Sequence, residues 1–286
     1  MAASAISVDG ARFSYGEREV LKGITFEVAP GEVLGFLGPN GAGKSTTIRM
    51  LTGQLRPSAG SVRLFGRDVV RARSEVMGRV GVSFEEKNLY PSMTGEENLR
   101  FFARLYGVPH ADVRALLEHV GLETRRRDLV AGYSKGMRQR LMIARALVHD
   151  PDVLLLDEPT DGLDPVSAQA VRDVIRARVE SGNAVLLTTH DMHEADELSH
   201  RVAFINEGEI YALDTPEKLK LAHGRRSVKV RLRDGDGVRE ETVELDGEAA
   251  GARIAELMAS GEVITIHTAE ATLEEVFIRM TGRGLA

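Results

Sequence analysis

A chain of 286 residues exceeds one average domain and can bury a large core, so one big domain with a small appendage is the natural expectation. With 43% hydrophobic and 28% charged residues the composition is that of an ordinary globular protein and points to neither a disordered nor a fibrous architecture. Forty-three acidic residues against 37 basic ones give a net charge of −6, so nucleic acid is not an expected partner, and the absence of cysteine excludes disulfides, thiolate zinc sites and cysteine nucleophiles. The first six residues carry neither a basic stretch nor an apolar run, so no secretory leader is expected. The longest apolar runs, such as Val153-Leu154-Leu155-Leu156, fall far short of the roughly 20 residues that cross a bilayer. Any membrane role must be borrowed from a partner.

From residue 6 to about 210, short β-rich runs alternate with amphipathic helical stretches, the pattern of an α/β core. Near-continuous apolar runs at 32–38, 153–157 and 184–189 predict strands covered on both faces. Residues 86–150 read as a mostly helical block inserted between two core strands. Thr94 with Glu97 forms a capping box there, and Gly107 closes the helix it opens. Asp164-Pro165 starts a further helix that ends before Gly182, and Thr215-Pro216 starts a short one that runs to Gly224. The pattern then changes. Alternation over 227–233, turn chemistry at Asp234-Gly235-Asp236-Gly237, a second strand to about 245, a helix near 249–260, a strand at 263–267 and a helix capped by Thr272 predict a small ββαβα unit. The expected division is therefore 1–222 for the core and 223–286 for a C-terminal α+β domain.

Gly38-Pro39-Asn40-Gly41-Ala42-Gly43-Lys44-Ser45 fits G-x-x-x-x-G-K-[ST], directly follows a predicted strand, and opens the helical run that begins at Thr46. Its glycines let backbone N–H groups turn inward around β- and γ-phosphates, Lys44 adds positive charge, and the helix start adds its dipole. Ser45 can ligate Mg²⁺ through its hydroxyl. A glycine-rich turn that happens to contain Lys-Ser is the plainer alternative, and the strand and helix flanks weigh against it. A phosphate loop also needs a carboxylate, and residues 153–158 supply an apolar strand ending in Asp157 and Glu158. Asp157 suits Mg²⁺; Glu158 suits polarising the attacking water as general base. His190, His193 and Asp196 could alternatively be read as metal ligands, although only the latter two share a helix, at i and i+3.

Between and after these elements lie Tyr133-Ser134-Lys135-Gly136-Met137-Arg138-Gln139, Asp161-Gly162-Leu163-Asp164 and Leu187-Thr188-Thr189-His190. In that order around a phosphate loop, these segments resemble the ATP-binding cassette of ABC transporters over residues 6–222. The resemblance implies a P-loop NTPase core with an inserted helical subdomain, with ATP and Mg²⁺ as ligands. It implies a head-to-tail homodimer in which Ser134 and Gly136 of one copy meet the γ-phosphate held by the other. It further implies that His190 contacts the γ-phosphate and the water, that Asp164 faces the second copy, and that Tyr15 stacks on adenine. The partner it implies is a separate transmembrane permease, with this chain in the cytoplasm, peripheral on the inner face of the plasma membrane. Two departures stand out: the usual Leu-Ser-Gly-Gly-Gln is Tyr133-Ser134-Lys135-Gly136-Met137 here, and the glutamine that helps coordinate Mg²⁺ is Glu85. The signature form and the segment Thr272-Leu273-Glu274-Glu275-Val276-Phe277 resemble bacterial exporter subunits of the daunorubicin-resistance and sodium-extrusion kind, which implies export of drugs, lipids, polysaccharides or ions. The competing reading is a soluble ABC ATPase acting on ribosomes or DNA; such proteins carry two cassettes or a long coiled-coil insertion, and neither is present in the sequence.

Overall fold

The computed structural model describes residues 4–84, 89–224, 227–234, 237–245, 250–260, 262–269 and 271–282. The chain divides into two compact units near 213/214, and the helix that begins at Pro216 lies in the second.

The first unit contains two sheets. Strands β1 (Ile6–Tyr15), β2 (Arg18–Val28), β4 (Ala59–Leu64) and β5 (Arg67–Asp68) form an antiparallel sheet in the order β2-β1-β4-β5. This sheet was not legible as a separate layer, because a two-residue turn at Gly16-Glu17 joins β1 to β2 with no intervening helix. The central sheet is six-stranded, ordered β10-β9-β3-β8-β7-β6, from β3 (Val33–Leu37), β6 (Val80–Ser83), β7 (Val153–Asp157), β8 (Ala184–Thr189), β9 (Arg201–Asn206) and β10 (Glu209–Asp214). Strands β9, β3, β8, β7 and β6 run parallel to one another.

Every residue of β3, β7 and β8 is buried, and the period-2 alternation of a strand divides them between two cores. Leu34, Phe36, Leu155 and Leu186 pack with Ile48, Met50 and Leu51 of α1 (Lys44–Leu51) and with β1, β2 and β4. Leu154, Leu156, Val185 and Leu187 pack on the opposite face with α6 (Pro165–Glu180) and with the helical block. A short α2 (Arg73–Val76) precedes β6, and α7 (Met192–Leu198) lies between β8 and β9.

The helical block lies between β6 and β7, which are adjacent in the sheet. It comprises α3 (Gly95–Leu105), α4 (Val113–His119) and α5 (Lys135–Leu147), held on Leu99, Ala103, Val113, Leu117, Leu141 and Met142. The capping box of Thr94 and Glu97 is formed. Asn98, fully buried, completes the entry turn by accepting from Tyr90 N–H at 2.8 Å and donating to Tyr90 O at 3.0 Å and Thr94 O at 2.9 Å. No helix among the described residues is long and apolar enough to cross a membrane.

The second unit carries α8 (Pro216–His223), an antiparallel sheet ordered β12-β11-β13 from β11 (Ser227–Asp234), β12 (Gly237–Glu244) and β13 (Glu262–Ala269), and helices α9 (Ala250–Ser260) and α10 (Leu273–Thr281). Val228, Val230 and Leu232 pack with Leu257 of α9, as the alternation of β11 dictates, and α10 packs on α8.

Candidate active site

Three parallel strands end level with one another. Leu37 of β3 stands opposite Thr189 of β8, and Thr188 of β8 opposite Asp157 of β7. Their carboxyl ends therefore deliver residues 38–45, Asp157 with Glu158, and His190 to one edge of the sheet, where open parallel sheets gather their ligand-binding loops.

The loop after β3 combines two kinds of glycine. Gly41 and Gly43 have φ of +82° and +112°, so the loop needs them for their backbone conformation. Gly38 is needed for space: a Cβ there would lie 2.0 Å from Ile205 O. Gly43 occupies the N-cap of α1 and supplies no side-chain acceptor, and the first intrahelical bond runs from Thr47 N–H to Gly43 O at 2.9 Å. The N–H groups of Lys44, Ser45 and Thr46 precede that bond and have no intrahelical acceptor. By contrast, side chains cap the starts of α3 to α8 and α10. Helix α1 thus presents its positive end unsatisfied to a cleft of about 550 Å³, the arrangement that binds phosphate.

Of the sequence-predicted residues, Tyr15, Pro39, Asn40, Gly41, Gly43, Lys44, Ser45, Thr46, Glu158 and His190 line this cleft. Lys44 is 6% exposed; its Nζ donates to Gly38 O at 2.6 Å and lies 3.2 Å from Glu158 Oε1. Glu158 has φ of +48°, and its N–H donates to Thr188 O at 3.0 Å, which fixes a left-handed backbone at the strand end. Its other oxygen, Oε2, lies 2.9 Å from His190 Nδ1 and accepts from the His190 backbone N–H at 3.3 Å. His190 is thus engaged with Glu158, and among the described residues no group of three or more His, Asp or Glu is placed to hold a metal ion, which leaves the reading of His190, His193 and Asp196 as ligands without support. Asp157 lies buried behind the cleft and accepts from the Thr188 hydroxyl. Ser45 and Asp157 offer only oxygen, the donor chemistry that fits Mg²⁺. Ala42 is buried beneath the loop and receives the Gly208 N–H at 3.1 Å. Glu85 lies outside the described residues.

Ser134, Gly136 and Asp164 are brought together elsewhere. Ser134 caps α5 by accepting from Met137 N–H at 3.2 Å, and Asp164 caps α6 by accepting from the N–H groups of Val166 and Ser167 at 3.1 and 3.0 Å. A hydrogen bond from the Ser167 side chain, followed by its backbone N–H, holds the Asp164 carboxyl below its ordinary value. A Cβ on Gly136 would lie 2.7 Å from Ser167 Oγ, so the two helix starts touch. None of the three lines the nucleotide cleft of its own chain. Asp161 joins the two groups: it lines the cleft, and its Oδ2 lies 3.0 Å from Lys135 Nζ of the signature.

The sequence reading missed Arg18, Val20 and Asp161 in the cleft lining. It also missed Glu194, 1% exposed on α7, which accepts from the Thr160 hydroxyl and so ties the helix after His190 to the turn after Glu158.

Comparison with known proteins agrees with this geometry. The sequence pattern of the family described as ABC transporter matches residues 21–161. The chain is 46% identical over 284 residues to a fluoroquinolones export ATP-binding protein of Mycobacterium tuberculosis, covering 98% of this chain and 94% of that one. It is 39% identical over 307 residues to a daunorubicin resistance ATP-binding protein of Streptomyces coeruleorubidus, covering 99% and 97%. Among solved structures, an ATP-binding subunit of an ABC transporter superposes with a TM-score of 0.71 at 30% identity, covering 77% of this chain and 94% of that chain. The CbiO1 subunit of Clostridium perfringens, part of an ABC transporter complex, superposes with a TM-score of 0.69 at 25% identity, covering 77% and 92%. A P-loop edge built from level parallel strands, joined to full-length similarity of this extent, establishes that the chain belongs to the ABC transporter family as an ATP-binding and ATP-hydrolysing subunit.

Proposed function

We propose that this subunit, as a head-to-tail homodimer bound to a separate transmembrane permease at the inner face of the plasma membrane, hydrolyses Mg-ATP to export a drug-like small molecule. The observation that carries the nucleotide chemistry is the uncapped start of α1 facing Lys44, Glu158 and His190 across one cleft. A γ-phosphate there replaces Glu158 as the partner of Lys44 and receives the free N–H groups of the helix start. Glu158 then takes a proton from the attacking water, oriented by its contact with His190. Ser45 and Asp157 would hold Mg²⁺, which supplies charge neutralisation on the β- and γ-oxygens.

The need for a second copy is supported by the location of Ser134, Gly136 and Asp164, which form a complete helix-start group away from their own chain's cleft. Val166, 80% exposed beside Asp164, supplies an apolar contact for such a partner. The permease reading is supported by a groove of about 590 Å³ between the helical block and the core, lined by Val80, Phe84, Leu89, Tyr90, Phe102 and Leu105. Export of a drug-like cargo is supported by the relatives named for fluoroquinolones export and daunorubicin resistance. Replacing Glu158 with Gln tests the core of this reading. Affinity for Mg-ATP is expected to hold or rise, since Lys44 loses its carboxylate partner, while turnover falls by about 10²-fold or more. Undiminished turnover would exclude Glu158 as the base.

A further inference from the structure

The β1–β2 hairpin ends in the cleft with two paired side chains. Tyr15 and Arg18 stand directly opposite each other across the Gly16-Glu17 turn, and Gly16, at φ of +59°, supplies the first turn position. Directly opposed residues of an antiparallel pair project from the same face. Both side chains accordingly line the cleft that also contains Lys44, Ser45 and Thr46. Tyr15 is held edge-on against Phe13, with ring centroids 4.8 Å apart, and is 45% exposed, which leaves a ring face for stacking.

Arg18 differs from the other cations around it. Lys44 is held by Gly38 O and Glu158, and Arg12 pairs with Glu19 at 2.8 Å. The Arg18 side chain makes neither a hydrogen bond nor an ion pair among the described residues, although Glu17 and Glu19 flank it in sequence. The acids of the cleft are Glu158, engaged with Lys44 and His190, and Asp161, engaged with Lys135. An exposed guanidinium on the cleft face, with every nearby carboxylate of the lining already occupied, is matched to an anion that arrives with the ligand.

We propose that Arg18 is a nucleotide-positioning residue that binds the α-phosphate of ATP. The phosphate loop takes the β- and γ-phosphates at α1 and Tyr15 takes the base, so the α-phosphate bridges the two ends of the cleft, beside the residue opposite Tyr15. Arg18 acts as the second cation of the cleft and fixes the distance between base and phosphate chain, while Lys44 serves the transferred group. The assignment rests on the nucleotide reading above, and the wild-type affinity for ATP tests that reading separately.

The test is competition of ATP, ADP and adenosine against a fluorescent ATP analogue on the full chain, for wild type, Arg18→Ala and Arg18→Lys. Arg18→Ala is expected to weaken ATP and ADP to a similar degree, by about tenfold or more for one lost charge-assisted contact, and to leave adenosine unchanged. Arg18→Lys should recover part of the loss, because a point charge remains without the forked geometry. Unchanged ATP affinity in Arg18→Ala overturns the proposal. Equal loss for adenosine places Arg18 on the base or ribose and also overturns it, as does a loss confined to ATP, which places it on the γ-phosphate. Arg18 is exposed at a hairpin tip, so its replacement leaves the core intact, and thermal unfolding of the variants checks this.

Discussion

Glu158 is shared between two partners: its Oε1 lies 3.2 Å from Lys44 Nζ and its Oε2 lies 2.9 Å from His190 Nδ1. With only 11% of its side chain exposed, the carboxylate cannot take its orientation from bulk water. The imidazole is what aims it once a phosphate has claimed Lys44. His190→Ala should therefore lower turnover by about 10²-fold while changing ATP affinity little, because the phosphate ligands of α1 are untouched. Single-turnover hydrolysis with a parallel binding titration separates the two effects. Wild-type turnover in the variant would show that Glu158 keeps its aim without His190.

The cleft was legible in the sequence to the extent that its parts are local. Residues 38–46 carry their own strand, turn and helix signals, and Asp157-Glu158 ends a strand whose burial on both faces its apolar run announces. The register that brings Thr189 level with Leu37 and Asp157 level with Thr188 is non-local, and it decides that His190 meets Glu158. For the same reason Arg18 was missed: nothing in Gly16-Glu17 states that the hairpin tip reaches a loop more than twenty residues further on. Tyr133 illustrates the limit in the other direction. It replaces the usual leucine of the signature, and the structure gives the reason for the aromatic: its buried ring carries a hydroxyl that donates to Arg125 O at 2.8 Å. Burial raises the affinity of that hydroxyl for its proton.

The two kinds of glycine in the loop separate in a substitution pair. Gly38→Ala places a methyl group against the backbone oxygen of Ile205, an atom that cannot rotate away. The cost should be about 1–3 kcal/mol of stability. Gly41 meets nothing within 4 Å, so Gly41→Ala should cost only the left-handed conformation, about 1–2 kcal/mol, within the loop itself. Urea unfolding measures both. The Ile205 contact predicts that Gly38→Ala also shifts β9 against β3, seen as faster amide exchange along residues 201–206, which Gly41→Ala should not do.

Glu194 makes stability depend on pH in a direction opposite to most carboxylates. Burial pushes its carboxyl above the ordinary value; the hydroxyls of Thr160 and Thr189 pull it down, and the charges of Asp191 and Glu158 push it up. In the window between the unfolded value of about 4.3 and the raised folded value, the folded protein holds the extra proton. The stabilisation is fully present below the unfolded value and is lost as pH rises through the folded one. Glu194→Gln, which mimics the neutral acid, should remove this component of the slope and be more stable than wild type at about pH 8. Denaturation midpoints across about pH 5 to 8 provide the comparison. A wild-type slope retained in the variant would assign the pH dependence to another group.

Leu105 provides the test of the permease surface. It ends α3 with 69% of its surface exposed, next to Tyr106, whose ring stacks on His149 with centroids 4.0 Å apart. Tyr90 and Phe101 are exposed in the same block and pack edge-on, with centroids 5.0 Å apart. Four large apolar side chains on one helical block form a patch that water does not favour and that the core does not need. Leu105→Asp should therefore leave folding within about 0.5 kcal/mol of wild type, and leave ATP affinity unchanged, since Leu105 is not part of the nucleotide cleft lining. Introducing a charge into an apolar interface is costly, so the same variant should lose co-purification with the membrane subunit from detergent extracts. The His149 stack gives an internal control. Leu105→Asp leaves it in place, so the near-UV dichroism of the tyrosines should persist while the complex is lost. Retention of the complex at wild-type yield would move the docking surface off the helical block.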